Sequence, residues 1–313
     1  MNTGIGGLVY KNPPRKKNNF LDGHKTFVNA RSAIKYLFDH LKPREIWLPS
    51  YLCKTIIQGD HNFKFYDCDI FDNPSKYFHL ANKEGNIFYY IEYFGFKKNV
   101  DFENKKCVVV QDCAQSVFLK KNPHVDYAIY SFTKMLPVPD GGSIVGDIDP
   151  IYKTPCSDFL ESIEFLKNPI DLRRKGDSDW RNLYLKSKKI KPVGNYQISD
   201  YSKEVINNID LASLSEKFTK NYNLISSLIN PLFELKDNVP LGFPILLKNR
   251  DFVLKSLIEN KIYPAIHWKL PHYFKKASSL EKKILTIPCA WCCDDEIDYL
   301  CEKISFLKTR LEK

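Results

Sequence analysis

A series of short apolar runs lies between residues 27 and 150. Each run is bounded by polar or turn residues, and short helical stretches separate several of them. Short apolar strands that alternate with helices are typical of an α/β sheet with parallel or mixed strands. The runs predicted to be strands are EIWLP, FKFYDCD, NIFYYIEYFG, KCVVVQD, YAIYSF and GGSIVGD. We therefore expect an α/β fold with a mainly parallel central sheet.

Two segments in this region predict helices. Asn29 is a good N-cap, and apolar residues from Ile34 to Leu41 repeat at helical spacing. The segment SYLCKTIIQG predicts a second helix, which Gly59 would close.

The remaining sequence indicates three regions. Residues 1–25 carry little periodicity and are expected to form an N-terminal arm. Residues 26–208 would form the large domain, whose last part, from about residue 157, is polar and partly helical. Residues 209–313 would form a smaller C-terminal α+β domain. It combines a helix at 209–230, the strands LGFPILLK and ILTIPCAW, a helix beginning near Arg250 and a terminal helix.

The composition indicates where the protein is located and which kinds of partner it binds. No apolar run approaches the roughly 18 residues that span a bilayer, so no membrane contact is expected. The N-terminus lacks the apolar stretch of a secretory signal, and nine cysteines are scattered along 313 residues, which favours reduced thiols and a cytoplasmic protein. The net charge of +10 has two explanations: a general bias of the composition toward lysine, or the binding of an anionic ligand. Nucleic acid is disfavoured because the densest basic run, residues 14–17, is short and has no recognition motif around it.

The residues with the clearest chemical meaning follow two of the apolar runs. Asp112 ends KCVVVQD, and Lys134 follows YAIYSF. Ligands bind at the carboxyl ends of strands in such sheets. A buried lysine forms a Schiff base with an aldehyde cofactor, and a carboxylate keeps a pyridine nitrogen protonated. These are the two groups that pyridoxal 5′-phosphate (PLP) requires. The helix that begins after Asn29 would receive the phosphate through Arg31, Ser32 and free backbone N–H groups.

The order of these motifs resembles the DegT/StrS-type PLP-dependent sugar aminotransferases, which have fold type I. The resemblance covers most of residues 25–305, loosely outside the motifs, and the order and spacing of five motifs make it specific. The matching segments are NARSAI, WLPSYLC, VVVQDCAQSV, YSFTK and PDGG, with a later VGNYQIS.

The resemblance implies a role for each matching residue. Lys134 would be the Schiff-base lysine and general base, and Asp112 the partner of the pyridinium. Gln115 would lie over the ring or bind its hydroxyl. The residues implied to hold the phosphate are Ser131, Arg31, Ser32 and, from the neighbouring subunit, Asn195.

Each of these residues also has an ordinary structural interpretation. Asp112 could cap a helix and Lys134 could be a solvated lysine. The amide of Gln115 could serve packing, Asn195 could form a turn, and Arg31 could be a solvated helix residue.

The sequence departs from the family pattern in two places. Cys53 stands where the family usually has the aromatic ring that stacks on PLP, so Tyr51, Tyr93 or Phe94 would replace it. The segment VPDGG replaces the usual Gly-Glu-Gly-Gly.

Two further features of the sequence are candidate sites. Cys289-x-x-Cys292-Cys293 has no second pair or histidine at the spacing of a zinc finger, so no metal is expected. His267 lies near the predicted cleft, as a substrate contact or as a packing residue.

The resemblance implies a homodimeric enzyme of polysaccharide biosynthesis that transfers an amino group, usually from glutamate, to a nucleotide-linked keto-sugar. The alternatives are another PLP enzyme on this fold, a decarboxylase or a dehydrase, and a basic nucleic-acid-binding protein.

Overall fold

A computed structural model describes residues 4–190, 192–268 and 275–311. The predicted arm, large domain and small domain each include positions outside these ranges, namely 1–3, 191, 269–274 and 312–313. The bounds predicted for these domains, at residues 25 and 208, stay predictions.

The described strands fall into one large sheet and two small ones. Their bounds are Ile5–Gly6 (β1), His24–Phe27 (β2), Glu45–Pro49 (β3), Phe63–Tyr66 (β4), Asn86–Ile91 (β5), Val108–Asp112 (β6), Tyr127–Ser131 (β7), Gly142–Val145 (β8), Phe243–Leu246 (β9), Ile262–Tyr263 (β10) and Ile284–Ile287 (β11). Within the described residues the large sheet has seven strands in the order β2-β8-β7-β6-β5-β3-β4. Strands β4, β3, β5, β6 and β7 are parallel, whereas β8 is antiparallel to both β7 and β2. The predicted mainly parallel α/β sheet is therefore confirmed.

The central strands are apolar because both faces of the sheet are covered. All six residues of β5 are buried. Tyr89 contacts Phe38 on one face, with ring centroids 6.2 Å apart, and Tyr90 contacts Phe102 on the other, at 5.6 Å. This alternation places consecutive tyrosines of one strand in different cores.

The described helices cover the sheet and build the C-terminal part. Their bounds are Ala30–Leu41 (α1), Phe78–Ala81 (α2), Ser157–Arg174 (α3), Trp180–Ser187 (α4), Asp200–Asn207 (α5), Leu211–Ser226 (α6), Arg250–Glu259 (α7), Lys275–Glu281 (α8) and Asp294–Leu311 (α9). Helix α1 begins as predicted: the Asn29 side chain accepts a hydrogen bond from the Ser32 N–H at 3.0 Å.

The helix predicted for SYLCKTIIQG is wrong. The segment contains only one 3₁₀ turn, Lys54–Ile56. Tyr51 is fully buried, and its hydroxyl donates a hydrogen bond to the His267 carbonyl. Tertiary contacts of this kind outweigh the weak helix propensity of a short segment rich in β-branched residues.

The N-terminal segment lies against the rest of the chain. Strand β1 pairs with β10, and β2, which begins at His24 within the predicted arm, forms an edge of the large sheet. The Arg173 guanidinium donates hydrogen bonds to the carbonyls of Gly4, Gly6 and Leu8, each at 2.7 Å. Backbone groups of the segment make many of these contacts, and such contacts leave no periodic pattern in the sequence.

The C-terminal part has its own small sheet, in which β11 is antiparallel to β9. The large sheet receives no strand from the described residues beyond Val145. Among the described helices, none is both long enough and apolar enough to cross a membrane.

Candidate active site

The carboxylate and the lysine singled out in the sequence lie at the same edge of the large sheet. Asp112 is the last residue of β6 and is in register with Ile129 of the parallel strand β7. Lys134 ends the 3₁₀ turn Phe132–Lys134, which follows β7 directly. The Lys134 side chain is exposed, whereas the sequence predicted a buried lysine. Carboxyl ends of neighbouring parallel strands are where α/β sheets bind their ligands.

Asp112 is buried and held by two hydrogen bonds. Its Oδ2 accepts from the Tyr89 hydroxyl at 2.8 Å, and its Oδ1 accepts from the Ala114 N–H at 2.8 Å. Burial raises the pKa of Asp112, and the charge of Lys134 and these two hydrogen bonds oppose that rise. Each oxygen keeps one lone pair for a further donor.

Gln115, three residues after Asp112, is also buried, and only one of its two polar side-chain atoms has a hydrogen-bond partner among the described residues. Its Oε1 accepts a hydrogen bond from the Phe94 N–H, which fixes Phe94 in the left-handed region at φ 60°. Its Nε2 is buried and has no partner among the described residues. An unsatisfied buried donor costs about 1–3 kcal/mol, so this amide is suited to donate to an oxygen of a bound group.

An aromatic cluster joins the segments that follow β3 and β5. The Tyr51 ring lies 5.6 Å from Tyr93 and 5.2 Å from Trp268, and the Tyr93 hydroxyl donates to the Tyr51 carbonyl at 2.6 Å. Burial and the charge of Lys134 hold the pKa of His267 at about 3, so this imidazole is neutral near pH 7. That electrostatic effect places His267 in the surroundings of Lys134.

The predicted phosphate-binding residues gather at the N-terminus of α1. The Ser32 hydroxyl donates to Asn29 Oδ1 at 3.2 Å and accepts from the Gly194 N–H at 3.1 Å. Arg31 is half-buried; burial lowers its pKa, and the nearby Cys53 opposes that change. The hydroxyl of Ser32 is thus engaged within the chain, whereas the guanidinium of Arg31 is the charged group at this helix start.

A close backbone approach joins this helix start to the sheet edge. Ser131, buried at the end of β7, pairs with Gly142 of β8. A Cβ on Gly142 would lie only 2.3 Å from the Ala30 nitrogen, so a side chain there would push α1 away. The first turn of α1 therefore lies directly beside Ser131.

Asn195 lies in a segment that contacts its own α1. The Asn29 side chain donates to the Pro192 carbonyl at 2.6 Å, and the Val28 N–H donates to the Tyr196 carbonyl at 2.9 Å. The half-buried Asn195 itself accepts a backbone hydrogen bond from the Lys153 N–H at 2.7 Å.

Sequence reasoning missed Tyr89. Its run, NIFYYI, predicts a strand but not which tyrosine meets Asp112. The register decides this: Ile91 pairs with Asp112, and Tyr89 lies two residues earlier on the same face.

The cysteines near the C-terminus form no metal centre in the described part of the chain. Cys289 and Cys292 are buried and Cys293 is exposed. The described residues contain no group of three side chains able to hold a metal ion.

Comparison with known proteins identifies the fold. No family model matches the sequence, and no curated protein matches it. Among solved structures, the chain resembles Helicobacter pylori PseC, an aminotransferase involved in the biosynthesis of pseudoaminic acid. The two are 13% identical, the match covers 97% of this chain and 100% of PseC, and the TM-score is 0.68.

Two other solved structures lead to the same result. The PMP form of the putative sugar aminotransferase Spr1654 from Streptococcus pneumoniae is 14% identical, with 98% and 94% of the two chains covered and a TM-score of 0.65. S. venezuelae DesV, solved with a ketimine intermediate, is also 14% identical, with 93% and 88% covered and a TM-score of 0.65. The chain therefore has the fold of the sugar aminotransferases, which confirms the fold type I architecture that the resemblance implied.

Proposed function

We propose that this protein is a PLP-dependent aminotransferase that acts on a sugar. The observation that carries the proposal is the pairing of Asp112 with Lys134 at the ends of adjacent parallel strands, on a fold shared with sugar aminotransferases. Asp112 is buried and hydrogen-bonded, as a carboxylate facing a pyridinium must be, and Lys134 is an accessible amine beside it.

The residues present fit PLP. The unpartnered Nε2 of Gln115 supplies a donor for an oxygen of the ring, and the start of α1 supplies Arg31 and N–H groups for a phosphate. When bound, PLP supplies an aldehyde that accepts the amino group and a ring that withdraws electrons. Tyr51 lies two residues before Cys53, and its ring contacts that of Tyr93, so we assign these two aromatic groups the apolar wall against the ring.

The chain's own groups then have distinct tasks. Asp112 would hold the pyridine N–H, and the Tyr89 and Ala114 hydrogen bonds keep its carboxylate oriented. Lys134 would hold the aldehyde carbon and later carry a proton between substrate and cofactor. The neutral imidazole of His267 adds no positive charge near the Lys134 amine.

We further propose that glutamate is the amino donor and that a nucleotide-linked keto-sugar is the acceptor. The net charge of +10 suits an acceptor that carries a diphosphate. The solved neighbour PseC is involved in the biosynthesis of pseudoaminic acid, and a role in polysaccharide biosynthesis within the cytoplasm fits such a substrate.

The test is the visible spectrum of the purified protein with PLP, before and after addition of L-glutamate. We expect a yellow protein whose PLP band is replaced by the band of the pyridoxamine form. A colourless protein that does not bind PLP would contradict the whole proposal. A yellow protein that releases carbon dioxide or water from its substrate, without this exchange, would favour the decarboxylase or dehydrase alternative.

We also propose a homodimer in which Asn195 reaches the partner's cofactor phosphate. Exposed apolar side chains lie in the segment that carries Asn195 and in the two segments that contact it: Ile151 is 82% exposed, Leu160 56% and Val193 41%. The Lys153–Asn195 backbone hydrogen bond brings the segment of Ile151 to Asn195, and the stacking of Phe159 on Tyr196 at 4.3 Å brings the segment of Leu160 there. A symmetric dimer would bury this surface twice and complete both sites reciprocally.

Subunit exchange tests the shared site. Lys134→Ala and Asn195→Ala proteins, each nearly inactive, are mixed under conditions that exchange subunits. Shared sites predict that heterodimers regain one intact site, whereas sites completed within one chain predict no recovery. Sedimentation that finds only monomer at the assay concentration would refute the dimer.

A further inference from the structure

A buried carboxylate outside the cofactor site joins two segments that carry proposed site residues. Asp140 lies between the turn of Lys134 and strand β8, and it is 1% exposed. Its Oδ2 accepts from the Ser199 N–H at 2.8 Å. Its Oδ1 accepts from the Ser199 hydroxyl at 2.6 Å and from the Ser202 hydroxyl. We call this set of contacts the Asp140 bridge.

The Asp140 bridge fixes the start of α5. Ser199 is the N-cap of that helix, and its hydroxyl accepts from the Ser202 N–H at 3.2 Å. The Asp140 carboxylate therefore binds both the backbone N–H and the side-chain hydroxyl of the capping residue Ser199. Ser199 lies four residues after Asn195, so the bridge anchors one end of the segment that carries the asparagine.

A chain of backbone hydrogen bonds runs beside the bridge. The Val28 N–H donates to the Tyr196 carbonyl at 2.9 Å, the Gly141 N–H donates to the Val28 carbonyl at 2.7 Å, and the Phe132 N–H donates to the Gly141 carbonyl at 3.1 Å. These three bonds connect the residue after Asn195 with the turn that ends at Lys134.

Gly141, the residue after Asp140, is tightly packed between two segments. Gly141 has φ 125°, and a Cβ there would lie 2.6 Å from Ile198 Cδ1 and 2.8 Å from the Phe132 ring. A shift of either neighbouring segment would therefore require the other to move as well.

We infer that Asp140 is a positioning residue that sets the placement of the Asn195 segment relative to the turn of Lys134. The inference rests on the proposed function for the roles of those two residues, but the bridge itself does not. Small displacements in such a frame reduce both cofactor affinity and rate, because the groups around the cofactor must be placed within fractions of an ångström.

The test compares Asp140→Ala with Asp140→Asn and with a control of equal burial. In Asp140→Asn the amide oxygen can accept from the Ser199 N–H, and the two serine hydroxyls can rotate to accept from the amide NH₂. The control is Asn221→Ala. Asn221 is buried and donates to the carbonyls of Cys289, Ala290 and Cys292, so its loss also removes three hydrogen bonds.

The measured quantities are the dissociation constant of PLP, at a temperature where all variants are folded, and hydrogen exchange in residues 192–202. We expect Asp140→Ala to weaken PLP binding about tenfold or more and to speed exchange in that segment. Asp140→Asn should stay within about threefold of wild type, and so should Asn221→Ala despite a comparable loss of melting temperature.

Wild type that binds no PLP refutes the proposed function, and hydrogen exchange then decides whether Asp140 holds the segment. Wild-type PLP affinity in Asp140→Ala, or an equal loss in Asn221→Ala, overturns the positioning role. If Asp140→Ala does not fold, Ser202→Ala removes one bond of the bridge. It should then show a smaller change in the same direction, and no change would overturn the role.

Discussion

Two buried carboxylates lie at the ends of neighbouring strands and have different surroundings. Asp112 ends β6, and Glu92 follows β5, whose last residue pairs with Asp112. The Glu92 N–H even donates to the Asp112 carbonyl at 3.0 Å. The side chain of Asp112 meets the Tyr89 hydroxyl and the charge of Lys134, whereas Glu92 accepts from Gln111 Nε2 at 2.8 Å.

The hydrogen bonds that Glu92 makes with the described residues are to groups held by the fold. Its Oε2 accepts from the Lys98 N–H at 2.6 Å, and Gln111 is held in turn because its Oε1 accepts from the Asn122 N–H at 2.8 Å. Burial raises the pKa of Glu92 to about 7, and these hydrogen bonds and the charges of Lys98 and Lys97 oppose that rise. The Lys98 ammonium is itself held, because it donates a hydrogen bond to the Ile70 carbonyl.

The difference shows what separates a chemical site from a structural one. Both carboxylates are buried, and burial raises the pKa of both. Asp112 faces a lysine with an exposed, movable side chain and keeps free lone pairs, so it can take a ligand. Glu92 is bonded to an amide and a backbone N–H and serves the turn after β5. Perturbed pKa values therefore mark a functional site only together with an open partner.

Among these variants, we expect the largest loss of turnover when Lys134, the cation beside Asp112, is removed. Lys134→Ala should lower transamination at least about a thousandfold, because no other amine replaces its proton transfer. PLP should still bind, through the groups at the start of α1. The measurement is turnover with a competent donor and acceptor. The matched control is Lys98→Met, which removes the lysine beside Glu92 and should keep near-wild-type turnover. Full activity of Lys134→Ala would remove this lysine from the mechanism.

Asp112→Asn should lower turnover about a hundredfold or more while the fold is retained. A neutral amide cannot keep a pyridine nitrogen protonated. The measurement is the rate of the half-reaction with the amino donor, with circular dichroism as the check of folding. Glu92→Gln, the same change at the other carboxylate, should stay within a few-fold of wild type. Equal losses in the two variants would break the distinction between the two sites.

The sequence was sufficient for the strands of the large sheet from β3 onward and for α1, because those signals are local. Apolar runs bounded by turns predict buried strands, and Asn29 before an amphipathic stretch predicts a helix start. The pair of Asp112 and Lys134 could be anticipated because strand ends of a parallel sheet share one edge.

The rest depends on contacts between distant residues. The segment after Pro49 is not helical because Tyr51 is held by the His267 carbonyl, more than 200 residues away in the chain. The bond between Tyr89 and Asp112 depends on strand register, which the apolar pattern leaves open when both faces are buried. The free amide of Gln115 is visible only once the Phe94 N–H is seen to occupy its oxygen.

Titration of Glu92 should make the free energy of unfolding depend on pH between about 4.5 and 7. Its pKa is 4.5 in the unfolded chain and about 7 in the fold, so the folded state binds more protons between these values. Wild type should therefore lose about 3 kcal/mol of unfolding free energy, relative to Glu92→Gln, as pH rises through this window. Urea unfolding of both proteins across the window measures this difference. Parallel pH profiles would show that Glu92 does not titrate there.

The smallest effect is expected from Tyr89→Phe, which removes one hydrogen bond from Asp112. That bond stabilises the charged carboxylate, so its loss raises the pKa of Asp112 further. We expect about a tenfold loss of turnover, equivalent to about 1.4 kcal/mol, and an acidic limb of the rate profile that moves to higher pH. The control is the next residue of the strand. Tyr90 points to the opposite face, and its hydroxyl has no partner within the described chain, so Tyr90→Phe should leave the profile unchanged. An unmoved profile in Tyr89→Phe, or the same shift in Tyr90→Phe, would show that this hydrogen bond does not tune the carboxylate.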